Sequence, residues 1–574
     1  MRLGPLLAGR KQFVVPYFQR VYSWRSQHWN TLFDDILELY ELGPGHTHFL
    51  GSMVLLAEGA GEAGTPTLVI DGQQRLVTLA LFLAAIRDSV RNTDPGFADE
   101  VHTRYLVNED HDELKVLTTQ QDRASFATVM QDGKEPPPSP IRDAYRTFKE
   151  AISKKDKTFD YEHLVEIIVR ELSFVAITLD SEDNPYRIFE SLNAKGMPLT
   201  QGDLLRNYFF MRLPPAEHEQ WYTTVWWPMQ RRLGERFDAF MRDFLLKDGD
   251  PVRPDEVYQE WRKRLGPLQE EDIREVLREL AEWSLEYDQL LHPERQIDTS
   301  LRKRLQWLNA WSKTLPQTID PLLLRVHADY RRGHLTSEQT QELLCALESF
   351  LVRRTFTSAP AIDEDQVLVG LYNEAAKDGD RGTAFQQALA RPQVGWPKDD
   401  EFVEGVLHYP LYFGSHPDRR KLILQALEDS YMHRGPIRYD QLDLQLITPL
   451  LPRSDWLEEV GVNEDQYWKV IGTLGNLTWV PRGRMPDLGV AERKKELFKM
   501  TRYGLETVRD FAQVERWTAD EIEARSRRLA DKALEIWPGP RRAHGEPVER
   551  AHGELVERAH GEPVEPAHGE PVEL

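Results

Sequence analysis

Short apolar runs and helical periodicity divide the first part of the chain into strands and helices. HFLGSMVLL (48–56) and TLVI (67–70) are apolar runs of strand length, which predict buried strands. Residues 76–90 follow with apolar side chains at helical spacing among good helix formers, which predicts a helix. Residues 132–141 (DGKEPPPSPI) contain a proline cluster that cannot continue a helix, and this indicates an exposed loop. The first ~210 residues are therefore predicted to form an α/β domain.

The pattern changes twice further along the chain. From about residue 215 the spacing is helical and rich in tryptophan, and at this spacing aromatic side chains are more typical of a core than of a base-stacking surface. After residue 435 come the apolar run LQLITPLLP, the segment GTLGNLTWVP and charged helices ending near Trp537, which predict a compact domain. AHGEPVER-like octapeptides then repeat from residue 543 to 574, with too little apolar material to bury.

The chain is accordingly predicted to be an α+β multidomain protein with four segments. These are an N-terminal α/β domain (1–212), a helical middle region (213–435), a compact C-terminal domain (436–540) and a disordered repeat tail (541–574).

Composition and charge narrow the class of protein. The formal net charge of −22 argues against a uniformly basic nucleic-acid coat, so any contact with DNA has to be local. The basic runs at 262–264, 302–304, 419–421 and 493–495 are more typical of solvated helix faces. A single cysteine, Cys345, excludes an intramolecular disulfide and a multi-cysteine zinc site. Without a signal-like N-terminus or a run of about 18 apolar residues, we expect a cytoplasmic protein with no membrane contact.

The strongest chemical signal is the segment TLVI-DGQQR-LVTLALFLAAIRD, in which a strand passes through a glycine turn into a helix. Free N–H groups and the positive end of the helix dipole would face a ligand above the turn, and Gly72 permits close approach. Arg75 offers a planar fork for phosphate oxygens, Asp71 suits a divalent metal or a water, and Gln73 and Gln74 can donate to phosphate or position a nucleophile. A phosphate ester is the predicted ligand. The alternative is that Asp71 only caps the helix and Arg75 pairs with a surface carboxylate.

Three further segments accompany this motif, namely VVPYFQRVYSW (14–24), HFLGSMVL (48–55) and FESLNAKGMPLTQGDLLRNY (189–208). In this order, the four segments resemble the GmrS-type domain, a ParB/sulfiredoxin-like module of the GmrSD modification-dependent restriction family, over roughly residues 5–210. The resemblance implies that the domain binds and hydrolyses a nucleoside triphosphate (GTP, UTP and CTP are all compatible) with Mg²⁺ at Asp71. It also implies a role in phage defence, in which the nucleotide gates cleavage of modified foreign DNA.

The resemblance also assigns individual residues. It implies catalytic roles for Asp71, Gln73, Gln74 and Arg75. It implies nucleotide binding by Gln19, Arg20, Gly72, Asn193 and Gly196. The residue types leave simpler interpretations open, because aromatic side chains beside a strand, such as Tyr17, Tyr22 and Trp24, are more often core than base-stacking platforms. The Asn193–Gly196 turn equally fits a linker between a strand and a helix at 201–211.

Residues 445–479 resemble the GmrD-type, HNH-like nuclease domain, which carries a His-Ile-x-Pro core and a later Gly-Asn-Leu-Thr. The second element is present and includes Asn476, but the first reads Gln-Leu-Ile-Thr-Pro, with Leu446 at the histidine position. Leucine cannot act as the general base on water. The resemblance thus implies a ββα fold in which Asn476 is the remnant of a degenerate nuclease site. The alternative is an active nuclease with a relocated histidine, for which His408 and His433 are the candidates.

Two functions from different classes follow from these patterns. The leading hypothesis is a restriction-type protein that hydrolyses a nucleoside triphosphate and senses modified DNA. A homo-oligomer is compatible with this hypothesis. The rival is a non-enzymatic DNA-binding or regulatory module that uses the nucleotide as a conformational switch without turnover.

Deletion of residues 543–574 should leave the melting temperature unchanged, because the octapeptide repeats bury nothing. Differential scanning fluorimetry of the truncated and full-length chains measures this. A drop of several degrees on truncation would show instead that the tail docks on a folded domain.

Overall fold

The computed structural model describes residues 1–9, 11–17, 19–43, 45–57, 66–108, 113–156, 158–179, 200–295, 298–315, 318–359, 361–431, 437–482, 490, 493, 505–512 and 514–540. The chain divides into two compact units. The first comprises Met1–Gln296 and Asp320–Arg331, and the second comprises Ile297–Ile319 and Arg332–Leu574.

A mixed five-stranded sheet lies in the first unit. Its strands are β1 (Phe13–Val14), β2 (His48–Ala57), β3 (Thr67–Asp71), β6 (Val116–Leu117) and β7 (Leu172–Leu179), in the order β6-β1-β3-β2-β7. β1 is parallel to both β3 and β6, whereas β2 is antiparallel to β3 and parallel to β7. A separate antiparallel pair joins β4 (Val107–Asn108) to β5 (Glu113–Leu114).

Helix α3 (Gln73–Val90) lies at the centre of the core beside this sheet. Its apolar side chains face every direction and nearly all are buried, as expected for a helix that is apolar all round. Phe82 of α3 stacks on Phe148 with ring centroids 4.5 Å apart. The helices around it are α1 (Leu3–Leu7), α2 (Ser26–Leu42), α4 (Pro95–Val101), α5 (Gln120–Ala127), α6 (Pro140–Ser153) and α7 (Tyr161–Glu166).

The first unit continues as a group of helices with an aromatic core. These are α8 (Gln201–Met211), α9 (His218–Trp221), α10 (Trp227–Leu233), α11 (Phe237–Leu246), α12 (Val257–Leu265), α13 (Glu270–Leu291) and, beyond α14 (Thr299–Ser312) of the second unit, α15 (Asp320–Arg331). Trp226 and Trp261 are completely buried, and Phe244 stacks on Trp261 at 5.5 Å. These tryptophans are core residues, as the helical spacing predicted.

The described part of the second unit is helical with one pair of strands. Besides α14 it contains α16 (Ser337–Phe356), α17 (Glu364–Ala375), α18 (Arg381–Leu389), α19 (Asp399–His408), α20 (Leu411–Gly414), α21 (Pro417–Asp429), α22 (Ser454–Val460), α23 (Glu464–Ile471), α24 (Glu506–Ala512) and α25 (Ala519–Ile536). Strands β8 (Leu442–Leu446) and β9 (Leu477–Pro481) are antiparallel. Ile447, Trp456, Tyr467 and Trp517 form the centre of the apolar core next to these strands.

The structure confirms the predicted mixed α/β character and several of the predicted elements. The strands at 48–56 and 67–70 and the helix at 201–211 are present, while α3 begins three residues earlier than predicted because the glycine turn ends at Gly72. The predicted middle region is divided between the two units, since α15 packs on α11 and α13 of the first unit. The repeat tail lies outside the described residues. None of the helices described is long and apolar enough to cross a membrane.

A buried polar network fixes α15 in the first unit. Asp243 of α11 is completely enclosed and accepts a hydrogen bond from the Tyr287 hydroxyl at 2.8 Å. Arg236 forms an ion pair of 2.6 Å with Asp320, the first residue of α15. Burial and, to a smaller extent, the charge of Asp320 raise the pKa of Asp243 to about 8, against the opposing effects of the Tyr287 hydrogen bond and the charges of Arg242 and Arg236.

The raised pKa of Asp243 predicts a loss of stability with increasing pH. The neutral carboxyl fits the buried site, so its contribution is complete below the unfolded pKa near 3.8 and disappears as the pH rises through the folded value of about 8. Asp243→Asn keeps the acceptor for Tyr287 and should flatten the fall of urea midpoints between pH 5 and pH 8.5. The exposed Asp255→Asn is the matched control. Equal pH slopes in wild type and Asp243→Asn would contradict the assignment.

Candidate functional site

Gly72 connects β3 to α3 in a left-handed backbone conformation. Its φ is 93°, and a Cβ atom at this position would lie 3.2 Å from the Cγ of Met53, so both the conformation and the space favour glycine. No side chain caps the start of α3. The first N–H groups of a long helix therefore point out of the turn, where the helix dipole is positive.

Glutamine side chains connect this turn to the segment at residues 19–23. The Gln19 amide donates to the carbonyl of Ile70 at 2.8 Å, and Gln73 donates to the carbonyl of Arg20 at 3.2 Å. Gln74 donates to the carbonyl of Val21 at 3.1 Å and accepts from the Ser23 N–H at 2.8 Å. All three glutamines are buried. All three amide nitrogens, and the amide oxygen of Gln74, are thus bonded to main-chain groups of the protein.

Tyr22 anchors the same segment in the core. Its hydroxyl lies 2.7 Å from the Thr78 hydroxyl and accepts the indole N–H of Trp29 at 2.7 Å, and burial raises its pKa. Its main-chain N–H donates to Asp122 at 2.7 Å. Tyr22, one of the three aromatic residues that the sequence offered for base stacking, is therefore a core residue. The ring of Tyr17 packs against that of Tyr222, with centroids 5.6 Å apart. Trp24 stacks on His28 at 5.5 Å.

Asp71 and Arg75 lie next to each other at the rim of the turn. The Nη2 atom of Arg75 is 3.4 Å from Oδ2 of Asp71, which also accepts from the Ser52 hydroxyl at 3.3 Å. Arg75 donates in addition to the carbonyls of Leu50 and Ser52, each at 2.5 Å. The two side chains are 26% and 23% exposed, so about a quarter of each remains open to a ligand.

Arg20 has a different environment from Arg75. Its guanidinium is partly buried and makes no hydrogen bond or ion pair with any residue that the structure describes. Burial lowers its pKa, and the charges of Asp203 and Asp71 oppose the shift, so both carboxylates lie within electrostatic range. Arg20 is therefore a cation without a partner among the described residues, beside the turn at Gly72 and within electrostatic range of two carboxylates.

Asp203 is a site residue to which the sequence assigned no role. It lies in the first turn of α8, where it forms a reciprocal cap with Thr200 and an ion pair of 2.8 Å with the buried Arg206. The capping pattern Thr-Gln-Gly-Asp was the available signal in the sequence. Asn193 and Gly196, which the resemblance also assigned to nucleotide binding, lie outside the described residues.

Asn476 is completely buried in the second unit. Its side-chain oxygen accepts from the Thr448 N–H at 3.0 Å and the Trp517 indole at 3.3 Å, and its amide donates to the Ile471 carbonyl at 2.8 Å. Leu446 pairs with Leu477 between β8 and β9, one residue beyond Asn476.

The two candidate histidines give no support to a relocated nuclease site. His408 is exposed and lies 3.1 Å from Glu404 on its own helix, and His433 is outside the described residues. Across the described part of the chain, no three His, Cys, Asp or Glu side chains are grouped to hold a metal ion.

The mixed sheet, the left-handed glycine and the buried helix behind it define an α/β domain with the geometry of an anion site at the start of α3. Residues 3–210 match the family model described as the GmrSD restriction endonuclease, N-terminal domain. Residues 3–210 therefore form a GmrSD-type N-terminal domain, and the similarity to a restriction-type phage-defence family covers that part of the chain. The remaining residues lie outside this match, and a comparison with curated proteins finds no match.

The hydrogen bonds of Gln74 predict a structural effect of a nearly isosteric substitution. Gln74→Glu removes the donor to the Val21 carbonyl and places a carboxylate against it, so the free energy of unfolding should fall by about 1–3 kcal/mol. Gln121→Glu is the matched control, because its partner, the Tyr222 hydroxyl, can reverse its role and donate. Urea denaturation of both variants measures the difference. Equal midpoints would mean that the Gln74 bridge contributes nothing.

Proposed function

We propose that the N-terminal domain binds a nucleoside triphosphate at the turn between β3 and α3 and hydrolyses it. The observation that carries the proposal is the guanidinium of Arg20 beside the start of α3, which is partly buried and has no hydrogen-bond or ion-pair partner among the residues that the structure describes. Helix N-termini and arginine side chains are the groups that proteins use to bind phosphate oxygens. Asp71 adds a carboxylate at the rim of the same turn, where it can orient the attacking water.

In this proposal, the polar residues of the site have different roles. The N–H groups at the start of α3 and Arg20 hold the phosphates, and Asp71 accepts a proton or orders water. Gln73 and Gln74 hold the segment that carries Arg20, through their bonds to the Arg20 and Val21 carbonyls. Asn193 and Gly196 stay in the proposal as members of a ligand-binding loop, on the resemblance alone.

A magnesium ion fits this set of donors with Asp71 as its protein carboxylate ligand. Mg²⁺ is commonly held by one or two carboxylates together with substrate phosphates, and Asp71 supplies one such carboxylate. Asp203 is already engaged with Thr200 and Arg206. Bound at Asp71, the ion would neutralise developing charge on the phosphates. GTP, UTP and CTP all remain candidate substrates.

The proposed partner of the protein is modified foreign DNA. The similarity of residues 3–210 to the N-terminal domain of the GmrSD restriction endonuclease supports this, because restriction endonucleases act on DNA. We propose in addition that the second unit contains a degenerate HNH-like nuclease domain built on β8 and β9. Antiparallel pairing of these strands supports the proposal, and Leu446 at the position of the general base explains the expected loss of cleavage.

One observation favours a second function, a nucleotide switch without turnover. The Gln74 amide uses both its nitrogen and its oxygen on main-chain groups, and the Gln73 nitrogen donates to the Arg20 carbonyl, so these side chains hold the chain and Gln74 is not available to position an attacking water. In that case, nucleotide binding alone would change the state of the protein, and DNA would be bound rather than cut.

Phosphate release from GTP, UTP, CTP and ATP, measured with and without modified and unmodified plasmid DNA, separates these functions. Hydrolysis should occur with one of the nucleotides, and Asp71→Asn should lower kcat by about 10²-fold or more. The exposed Asp99→Asn is the matched control and should retain activity. Tight nucleotide binding without phosphate release would favour the switch.

Two outcomes would overturn the assignment of the site or of the second unit. Unchanged kcat in Asp71→Asn would reject the turn as the catalytic site. Nucleotide-dependent cutting of the modified plasmid in the same reactions would show that the second unit is an active nuclease.

A further inference from the structure

We infer that Arg75 is a positioning residue, which clamps a glycine bulge in β2 and so sets the position of Asp71. The inference rests on the proposed nucleotide site, and it leaves Arg20 as the cation that meets the phosphates. It departs from the chemistry expected of an arginine at a glycine turn, where the guanidinium would bind phosphate directly.

The donors of Arg75 are directed at the protein itself. Nη1 donates to the carbonyl of Leu50 and Nη2 to the carbonyl of Ser52, both at 2.5 Å, while Nη2 also lies 3.4 Å from Asp71. The two carbonyls flank Gly51. These bonds and the approach to Asp71 use three of the five N–H donors of the guanidinium, so a phosphate that gripped both Nη1 and Nη2 would compete with the two carbonyls.

Gly51 is the residue that makes room for this clamp. Its φ is 101°, a conformation that favours glycine, and a Cβ atom built on it would collide with Nη1 of Arg75. Gly51 and Arg75 therefore fit each other: the missing side chain of one leaves the space that the guanidinium of the other fills.

The strand register shows what the clamp controls. From Phe49 to Ser52, β2 advances three residues, whereas β7 advances two, from Ser173 to Val175. This is a bulge with one extra residue. Because side chains alternate along a strand, the extra residue brings Phe49 and Ser52 to the same face of the sheet. Ser52 then donates to Oδ2 of Asp71 at 3.3 Å.

A double-substitution cycle tests the clamp in the absence of nucleotide. Gly51→Ala and Arg75→Ala should each lower the urea midpoint, and the double variant should lose no more than the larger single loss, because both changes break one feature. Arg75→Lys keeps the charge but cannot span two carbonyls, so its midpoint should fall as that of Arg75→Ala does. Additive losses in the double variant, or a wild-type midpoint in Arg75→Lys, would overturn the clamp.

Nucleotide titrations test the division of roles between the two arginines. Arg20→Ala should raise the Kd of the preferred nucleotide about tenfold or more at an unchanged urea midpoint, and Arg20→Lys should recover part of the affinity. Arg75→Ala and Arg75→Lys should lower kcat and change Kd about threefold or less, because they displace Asp71 and remove no phosphate contact. A Kd for Arg75→Ala raised as much as for Arg20→Ala, with Arg75→Lys restoring it, would make Arg75 a phosphate ligand.

Failure of the proposed function has a separate signature. Wild-type protein that binds none of the nucleotides in the panel would reject the nucleotide site and the role of Arg20. The clamp between Gly51 and Arg75 would then be tested only by the double-substitution cycle, measured by urea denaturation.

Discussion

Main-chain carbonyls around the turn at Gly72 need hydrogen-bond donors, and the arrangement of the candidate site depends on this requirement. Residues 19–23 run beside β3 and α3 without being part of a strand, so their polar groups lack ladder partners. Gln73 and Gln74 supply donors to the carbonyls of that segment. Arg75 does the same for the carbonyls at the bulge in β2. Buried polar groups are costly when unsatisfied, so these side chains have little freedom to do anything else.

Gln73, Gln74 and Arg75, which bond to main-chain carbonyls, form the frame of the site. Few polar groups are then left for a ligand. In the part of the chain that the structure describes, those groups include the N–H donors at the start of α3, the open part of the Asp71 carboxylate and the Arg20 guanidinium. The frame makes them effective, because donors and charges held in place beforehand need not reorganise when the ligand arrives. The motif thus contributes to function mostly by holding the chain, and only in part by touching substrate.

The same physical requirement explains the Gly-Asn-Leu-Thr segment of the second unit. Asn476 satisfies main-chain groups of Thr448 and Ile471, and the buried Arg525 donates to the carbonyls of Gly475, Leu477 and Thr507. The Asn476 amide thus uses both acceptor positions and one of its two donors to hold the start of β9 against its neighbours. Such a segment persists for packing reasons whether or not a nuclease general base stands opposite it.

The amino-acid sequence by itself determined the local elements and the residue types of the site. The apolar runs located β2 and β3, and the glycine after Asp71 located the turn, because strand periodicity and the conformational freedom of glycine are local properties. The acid at position 71 and the arginine at position 20 were likewise readable from the motifs. The start of α3 was misplaced by three residues because polar glutamines occupy its first turn.

Only the tertiary structure decided which polar groups form the frame and which remain for a ligand. Gln74 and Arg75 are neighbours in a motif, yet their partners come from residues 21–23 and from the bulge in β2. Asp203 lies within electrostatic range of Arg20, although the two are almost two hundred residues apart in the chain. Helix α15 belongs to the first unit, although α14, which precedes it in the chain, belongs to the second. Strand register and helix packing set such partners, and neither is encoded in the spacing of residues along one segment.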